Sequence, residues 1–515
     1  MSKIGIDVGG TNTDALVLDG TSVLAAVKTA TTADVTTGIA TALRLLLAEP
    51  GIDRAAIEAV IIGTTHFTNA VVSRQGLKPV VAVRVCLPAS AAITPFMDWP
   101  DDLRGAVSAG HHLLGGGHEY DGQPIAPFDL EAMARIARQI AGSDVGAVAI
   151  SAVFSPLNPS CEEEAARILR EQAPHLDVTL SHKLGRLGQL ERENVAILNS
   201  SLMALARHTT QAFATALRES GIEAPLYLTQ NDGTVMHQDY AATYPVYSFS
   251  SGPTNSMRGA AFLSHINDAI VVDVGGTTTD VGCLRNGFPN EANNIVRIGG
   301  VRTNFRMPDV LSIGLGGGSI VDPATGTVGP QSVGFRIGEK ARIFGGDVLT
   351  ATDIAAAAGL VALGDRSRVA DLDPAFVHCT LATMQAMVAD AVDRMKLDGR
   401  PTPLIAVGGG AFLIPETLPG ISQVVKVPHA GVANAVGAAI AQVSGEVDRI
   451  FRDRSRDDAI AEARAEAIEQ AVRSGADPAS IVVVDVEDLP LAYLSGNTLR
   501  TRVRVVGDIA TVGKA

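Results

Sequence analysis

One phrase occurs twice in this chain, and its two copies are the strongest constraint on the fold. The first copy, residues 4–14, reads IGIDVGGTNTD, and the second, residues 271–280, reads VVDVGGTTTD. Each runs from β-forming residues to an aspartate, then through a Gly-Gly turn and hydroxyl residues to a second aspartate. Glycines let a backbone approach a phosphate closely, and N–H groups and threonine hydroxyls can then bind its oxygens. One copy alone could be an ordinary glycine turn, but two copies with matched spacing predict two facing halves around one nucleotide.

The overall composition indicates a globular protein with more than one domain. A chain of 515 residues is longer than a single hydrophobic core usually serves. The formal net charge of −14 argues against a nucleic-acid partner, because phosphate backbones are bound by surplus basic charge. The four cysteines form no CxxC pair, so we expect reduced thiols and a cytoplasmic protein. We expect neither a signal peptide nor a membrane span, since no uncharged apolar stretch reaches 18 residues.

The order of β-forming and helix-forming segments predicts an α/β protein with three parts. Strands and helices alternate through residues 1–187, which we assign to a first domain. A proline-free stretch at 188–219 predicts one long helix, or two in series, leading into a second domain, residues 188–445. Residues 446–515 predict a small C-terminal α/β appendage, with a charged amphipathic helix over 446–475 and two strands after it.

A third phrase, LIAVGGGA at residues 404–411, adds a site for the rest of a nucleotide. It places a triple-glycine turn directly after a β-forming run, and glycines leave no side chain in the way of a flat base or a ribose. Alone, this turn could also serve close packing. Because it follows the two aspartate phrases in this order, it favours a complete nucleotide cleft.

With this third phrase, the chain resembles the superfamily of actin, sugar kinases and heat-shock chaperones. The resemblance implies two ribonuclease-H-like (actin-like ATPase) domains around a cleft that holds ATP and Mg²⁺. More narrowly, the chain resembles the hydantoinase A/oxoprolinase family. The segments that carry the narrower resemblance lie at residues 7–14, 63–70, 251–253, 273–280, 313–320, 329–332 and 352–353. The family's usual proline-glycine-proline-alanine-cysteine phrase after 329–330 is missing, and members that open 5-oxoproline are longer at the C-terminus. The resemblance therefore does not identify which ring compound is the substrate.

The family resemblance implies a role for each glycine-rich segment. Asp7 and Asp273 would approach Mg²⁺ from opposite walls, largely through water, because Mg²⁺ gives up its hydration shell reluctantly. The residues expected to surround the nucleotide are Gly9, Gly10, Thr11, Asn12, Thr13, Gly275, Gly276, Thr277, Thr278, Gly316, Gly317, Gly408, Gly409 and Gly410. The γ-phosphoryl group would pass to the carbonyl oxygen of a cyclic amide or imide, such as a hydantoin, lactam or 5-oxoproline-like ring, and water would open the ring. Asp14 and Asp280 either belong to the same site or cap a turn or helix.

Three further residues are candidates for activating water or contacting substrate. Glu193 and Asn199 lie on the predicted long helix that connects the two halves. Glu193 belongs to a charged run that could equally form surface salt bridges. His66 lies at a predicted strand-to-helix turn, where it could transfer a proton, contact substrate or make a local structural hydrogen bond. The loop at 111–121 holds metal-capable side chains, but their spacing matches no established zinc pattern.

Three classes of function are open at the level of sequence. The leading one is an ATP-dependent cyclic amide hydrolase, which in this family commonly works with a second hydantoinase-type subunit. A small-molecule kinase would use the same cleft but keep the phosphate on its product. An ATP-driven activator protein would use the cleft to change conformation. The terminal strands also offer an edge at which a homo-oligomer could form.

Overall fold

The chain folds into two main sheets, a smaller inserted sheet and the helices that cover them. The computed structural model describes residues 2–10, 12–31, 35–184, 187–292, 296–305, 307–491 and 498–510. The strands are β1 (Ser2–Val8), β2 (Asn12–Asp19), β3 (Ser22–Ala30), β4 (Ile57–Thr64), β5 (Val80–Leu87), β6 (Ser108–Gly115), β7 (Ala147–Ala152), β8 (Asp177–Leu180), β9 (Leu226–Thr229), β10 (Thr234–His237), β11 (Ala269–Val274), β12 (Thr279–Arg285), β13 (Phe288–Pro289), β14 (Val296–Ile298), β15 (Val301–Thr303), β16 (Val310–Ile313), β17 (Ser319–Val321), β18 (Val328–Ser332), β19 (Thr402–Val407), β20 (Ile421–Lys426), β21 (Gln442–Phe451), β22 (Val482–Pro490) and β23 (Leu499–Gly507). The α-helices are α1 (Val35–Leu46), α2 (His66–Ser73), α3 (Asp101–Val107), α4 (Leu130–Ala141), α5 (Ser160–Gln172), α6 (Gln189–Glu219), α7 (Gln238–Thr243), α8 (Ser251–Ser264), α9 (Ile337–Lys340), α10 (Ala351–Ala357), α11 (Pro374–Met395), α12 (Ala433–Ala439) and α13 (Arg456–Arg473).

The two main sheets share one arrangement of strands. In the first, β1, β2 and β3 form an antiparallel meander, and β4 and then β9 follow parallel to β1 on its other side. In the second, β11 and β12 are antiparallel, β13 follows, and β19 and then β20 lie parallel to β11. This repeated order is the ribonuclease-H-like topology, so the predicted fold class is confirmed. A separate apolar cluster lies against each sheet, which gives each half its own core.

The sheet pairings divide the chain differently from the boundaries predicted at 187 and 445. Strands β9 and β10 lie in the first sheet, although they follow the predicted start of the second domain. Strands β21, β23 and β22 extend the same sheet beyond β10, so the predicted C-terminal appendage is an extension of the first half. Strand pairing joins segments far apart in sequence, and composition does not record which partner a strand takes.

The helix predicted over 446–475 is a strand followed by a shorter helix. β21 ends at Phe451 and α13 begins at Arg456, so the charges that suggested one helix face are divided between two elements. On β21, Asp448 accepts a hydrogen bond from Arg500 of β23 at 2.8 Å, and its charge therefore supports strand pairing. The buried residues of α13 are alanines at every fourth position, which let the helix lie close to the sheet.

A four-stranded parallel sheet is inserted between β4 and β9, with the strand order β6-β5-β7-β8. The section at 87–127, which is rich in glycine, proline and histidine, contributes α3 and β6 to this unit. Helix α6 packs against β7 and β8 along its N-terminal part. The inserted sheet therefore occupies one face of the long helix that the sequence predicted.

One helix within the described ranges, α11, is long and apolar enough to cross a membrane by length and composition. Its buried side chains, among them Met384 and Val388, pack into the core of the second half. An apolar helix that covers a sheet has the same composition, so length and hydropathy do not distinguish the two roles here.

Candidate functional site

The two aspartate phrases fold into two matched hairpins. The first is β1–β2 and the second is β11–β12, and a backbone N–H···O bond closes each turn, at 3.0 Å over residues 9–12 and at 2.9 Å over residues 275–278. In each hairpin the two aspartates of the phrase lie opposite each other across the strand pair. These pairs are Asp7 with Asp14 and Asp273 with Asp280. The outer aspartates therefore belong to strands that face the same site, and neither caps a helix.

A pair of side chains joins the inner aspartates of the two hairpins. Asn434 on α12 donates its amide N–H to Asp7 Oδ2 at 3.3 Å. Ser256 Oγ on α8 lies within hydrogen-bond distance of both Asp273 Oδ2 and Asn434 Oδ1. The two carboxylates are thus held at a fixed spacing by one amide and one hydroxyl, each carried on a helix between the sheets.

The helices that carry this bridge cross at unusually close range. A methyl group added at Gly437 of α12 would overlap the carbonyl oxygen of Asn255 on α8, and one added at Gly259 of α8 would overlap the carbonyl oxygen of Ala433 on α12. Only glycine permits this approach of two backbones. The crossing brings Ser256 and Asn434 into contact and so fixes the position of one half relative to the other.

The four aspartates share a poorly hydrated, negatively charged space. Burial, and then the charge of Asp14, raise the pKa of Asp7 to about 7. Burial raises the pKa of Asp280 to about 6, against a hydrogen bond from Ser312 and with a contribution from Asp273. The pKa values of Asp14 and Asp273 are raised by burial as well.

The surplus of negative charge fits a divalent cation held through water. Lys28 pairs with Asp14 at 2.7 Å. Within the described residues no basic side chain forms an ion pair with Asp7, Asp273 or Asp280, and no group of three or more metal-capable side chains is clustered closely enough to hold a bare ion. Mg²⁺ keeps most of its water ligands and needs only one or two carboxylates from the protein. Asp7 and Asp273 match that requirement, and a full set of protein ligands is not needed.

The first hairpin offers open backbone at its turn. Gly10 is exposed, and a Cβ added there would meet no atom within 4 Å. Thr13, by contrast, is fully buried, and its hydroxyl lies 3.4 Å from that of Thr31 in the direction of the third strand. Gly9 and Asn12 close the turn. Thr11 lies outside the described residues.

The second hairpin is supported from behind by the segment at 314–319, which the sequence assigned to nucleotide binding. Gly316 and Gly317 are buried, and their N–H groups are already donated, to Ser319 Oγ at 2.8 Å and to the carbonyl oxygen of Gly275 at 3.0 Å. The Gly318 N–H is donated to the Gly276 carbonyl at 2.7 Å. These glycines therefore hold the turn in place through backbone contact, and their contact with the nucleotide stays a prediction. The exposed Thr277 and Thr278 form the accessible face of this hairpin.

The triple-glycine turn lies beside the second hairpin because β19 is the parallel neighbour of β11. Gly408 has a φ of 87°, and a side chain there would overlap Asp273 Oδ1. Gly410 donates its N–H to the carbonyl oxygen of Val274 at 2.8 Å. Gly409 is exposed and has open space around it, so it is the member of the three that can border a ligand.

Glu193 and Asn199 are buried against the inserted sheet. Both carboxylate oxygens of Glu193 accept hydrogen bonds from Arg84, at 2.7 and 2.5 Å, and Ser151 donates a third at 2.7 Å. Asn199 donates to Thr179 Oγ1 at 3.1 Å. The structure does not bring either residue to the hairpins, because this face of α6 is turned toward the inserted sheet. With 2% of its surface exposed, Glu193 is not part of a surface salt bridge either.

His66 begins α2, directly after β4, as the sequence predicted for this turn. The backbone N–H of His66 donates to Thr64 Oγ1 at 3.1 Å, and its half-buried imidazole ring lies edge-on to the ring of Phe67. The turn comes just after Gly63, which is paired with Asp7 because β4 is the parallel neighbour of β1. His66 therefore begins the helix that leaves the same sheet edge as the aspartates.

Sequence reasoning missed Asn434 and Ser256. The available signal was slight: Asn434 is the one polar side chain in the alanine-rich helix α12, and Ser256 lies in a buried stretch of α8 among small and polar residues. Their importance depends on the helix crossing, which no local pattern records.

Two family models match the chain, and together they cover more than half of it. The model described as "Hydantoinase/oxoprolinase N-terminal region" matches residues 3–173, and the one described as "Hydantoinase/oxoprolinase" matches residues 192–365. The chain belongs to the hydantoinase/oxoprolinase family. The aspartate phrases lie one in each matched region, so the resemblance inferred from them is confirmed.

Curated relatives are similar at low identity. An uncharacterized protein of Methanocaldococcus jannaschii is 27% identical over 68% of this chain and 55% of its own length. The acetophenone carboxylase gamma subunit of Aromatoleum aromaticum is 26% identical, covering 68% of this chain and 52% of its own length. The caprolactamase subunit alpha of Pseudomonas jessenii is 26% identical over 70% of this chain and 55% of its own length. The matches thus span about half the length of these relatives.

Two solved structures share the fold. The ATP-dependent caprolactamase of Pseudomonas jessenii aligns with a TM-score of 0.79 and 21% identity, covering 98% of this chain and 87% of that chain. A nucleotide-free acetone carboxylase aligns with a TM-score of 0.70 and 19% identity, covering 99% and 89%. Both alignments extend over nearly the whole chain, including the inserted sheet and the terminal strands.

Proposed function

We propose that this protein transfers the γ-phosphoryl group of ATP to the carbonyl oxygen of a cyclic amide or imide, and that the ring is then hydrolysed in cooperation with a second subunit. The observation that carries the proposal is the pair Asp7 and Asp273, joined across the two halves by Asn434 and Ser256. Two desolvated carboxylates where two glycine turns meet suit a hydrated cation and a chain of phosphates.

Mg²⁺, when bound, would supply neutralisation of phosphate charge. The protein's own contribution is position and orientation. The open turn at Gly10 and the exposed hydroxyls of Thr277 and Thr278 present donors to phosphate oxygens. Asn434 and Ser256 keep the carboxylates of the two halves in one orientation.

Transfer to a carbonyl oxygen would solve the chemical difficulty of opening a stable ring amide. The bond between the γ-phosphorus and the bridging oxygen of ATP breaks as a bond to the amide oxygen forms, which leaves ADP. Water then adds to the activated carbon, and the ring nitrogen takes up a proton as the C–N bond breaks, which leaves an acyl phosphate. A second water hydrolyses the acyl phosphate to a carboxylate and free phosphate. Each step uses only ATP and water.

The names of the relatives support a carbonyl acceptor. Caprolactamase is named for a lactam, and it is described as ATP-dependent and as having a subunit alpha. We therefore include a partner subunit in the proposal. A second candidate acceptor is a ketone, because another relative is a subunit of acetophenone carboxylase and a structural neighbour is an ATP-dependent acetone carboxylase.

The test is to incubate the full chain with Mg²⁺-ATP and a panel of hydantoins, lactams and simple ketones, with and without the protein encoded beside it. We expect a cyclic amide to stimulate release of ADP and phosphate and to yield an opened ring. Asp273→Asn should abolish the stimulation, whereas Asp268→Asn, an exposed aspartate just before the same strand, should not.

Each other outcome identifies a different reaction. Stimulation by ketones alone would replace the ring substrate with a carboxylation substrate. A stable phosphorylated product would overturn hydrolysis in favour of a kinase. ATP turnover that ignores every small molecule would point to an ATP-driven activator.

A further inference from the structure

The N-termini of helices α2 and α8 meet beside the aspartate site. A Cβ added at Gly252, the second residue of α8, would lie 3.6 Å from Thr65 Cγ2, at the start of α2. The N-cap side chains of Thr65 and Ser250 make no capping hydrogen bond, although Thr64 Oγ1 accepts the His66 backbone N–H at the start of α2 at 3.1 Å. Uncapped N-termini leave backbone N–H groups that need an acceptor.

Two buried side chains on α8 lack hydrogen-bond partners at this place. Ser251 Oγ and Asn255 Oδ1 have no partner, although the two residues are 0% and 1% exposed. Residues four apart lie on the same face of a helix, so the two side chains project from one face of α8. Buried polar atoms are nearly always paired, so these two atoms are open to a hydrogen bond from a water or a ligand.

The orientation of the Asn255 amide is fixed by the first sheet. Its Nδ2 donates to Thr229 Oγ1 at 3.1 Å, which leaves Oδ1 as an acceptor. The absence of a side chain at Gly63 makes room for this amide, because a Cβ there would lie only 2.6 Å from Asp7 Oδ1 and would also overlap Asn255 Nδ2. The Asn255 side chain also hydrogen-bonds the Asp7 carboxylate, so it directly contacts the aspartate assigned to the cation.

A donor and an acceptor side by side match one edge of a ring amide. In a cyclic amide the ring holds C=O and N–H on the same side, whereas an ordinary secondary amide is trans and turns them to opposite sides. A hydroxyl can donate to the C=O while an amide oxygen accepts from the N–H. The second lone pair of the carbonyl oxygen stays available for the phosphorus.

We propose that Ser251 and Asn255 bind the cis-amide edge of the substrate, with the Ser251 hydroxyl donating to its C=O and Asn255 Oδ1 accepting from its N–H. This assignment rests on the function proposed above and states how the ring is recognised. The half-buried Thr65 and His66 and the exposed Asn69 lie at the start of α2, which is next to this edge of α8.

The first experiment uses the wild-type chain and changes only the ligand. Binding of a lactam, its N-methyl derivative and the lactone of equal ring size is measured by calorimetry with Mg²⁺-ADP present. We expect the N-methyl lactam and the lactone to bind at least about tenfold more weakly, because each leaves Asn255 Oδ1 unpaired in a buried place. Equal binding of all three would overturn the assignment.

The second experiment removes the donor. Ser251→Ala should weaken lactam binding about tenfold and leave Mg²⁺-ADP affinity unchanged. The matched control is Ser248→Ala, since Ser248 is also buried but donates locally to the Pro245 carbonyl oxygen at 2.7 Å, and it should bind lactam as the wild type does. Equal loss in both variants would show a general packing effect and refute the role of Ser251.

The two proposals fail in distinguishable ways. If no ring amide binds or stimulates ATP turnover, the proposed function itself is wrong, and the assignment falls with it. If ring amides stimulate turnover but N-methylation and Ser251→Ala have no effect, the function stands and the recognition site lies elsewhere.

Discussion

Replacing Asp7 with asparagine should make the ligand-free protein more stable at pH 8 while removing its activity. Burial and the neighbouring Asp14 raise the pKa of Asp7 to about 7, against the ordinary value of 3.8 expected in the unfolded chain. The folded state therefore disfavours the ionised carboxylate. The contribution of Asp7 to stability is therefore largest below pH 3.8, is lost as the pH rises toward 7, and stays reduced above it.

The magnitude follows from the size of this shift. One pKa unit corresponds to 1.36 kcal/mol, so a shift of about three units costs the folded state about 4 kcal/mol at pH 8. Asparagine has the same shape without the charge, so Asp7→Asn should recover most of that free energy of unfolding at pH 8. The gain should shrink to well under about 1 kcal/mol near pH 4, where the carboxylate of the unfolded chain also takes up its proton.

Urea unfolding at pH 4 and pH 8, without Mg²⁺ or nucleotide, measures this difference. Trp99 is the single tryptophan, is 4% exposed and lies in the same core as the residues flanking Asp7, so its fluorescence follows the correct half. Asp144→Asn, in an exposed turn, is the control and should change stability at neither pH.

Activity should move in the opposite direction. Loss of the carboxylate should lower ATP turnover by about a hundredfold or more, as expected for an electrostatic group at a phosphoryl-transfer site. If Asp7→Asn is no more stable than the wild type at pH 8, the argument from buried charge is refuted. If the variant keeps full turnover, Asp7 does not serve the cation.

Three further substitutions test the framework around the site. Gly437→Ala should destabilise the protein by about 1–3 kcal/mol in urea unfolding and lower turnover, because its methyl group forces α8 and α12 apart. The control Gly431→Ala, whose added Cβ meets no atom within 4 Å, should be neutral, and a Gly437→Ala variant as stable as the wild type would mean that the crossing is loosely packed. Arg84→Ala should cost about 3–5 kcal/mol by the same measurement, because it leaves the buried Glu193 carboxylate without its cation, and a loss below about 1 kcal/mol would contradict a structural role for the pair. Asn434→Ala removes a hydrogen bond that lowers the pKa of Asp7, so that pKa should rise and the acidic limb of the pH–rate profile should move to higher pH. An acidic limb that does not move would show that Asn434 does not act on Asp7.

The parts of the site that could be read from sequence are those with a local physical cause. A β-forming run, an aspartate and a Gly-Gly turn specify a hairpin within about ten residues, so the positions of Asp7 and Asp273 at two strand ends followed from the phrase itself. The order of the phrases then identified the fold class and the family. The backbone contacts of Gly316 and Gly317 could not be predicted, because a glycine that permits contact with a ligand and one that permits contact with another backbone look the same in sequence.

The sequence by itself determined that two aspartate hairpins exist and what kind of ligand they suit. Only the tertiary structure decided what surrounds them, because those contacts join residues hundreds of positions apart. Asn434 reaches Asp7, and Ser256 reaches Asp273, only because two glycines let α8 and α12 cross in contact. Strand pairing likewise placed the terminal strands in the first sheet, and burial, which depends on every neighbour, set the pKa values of the aspartates.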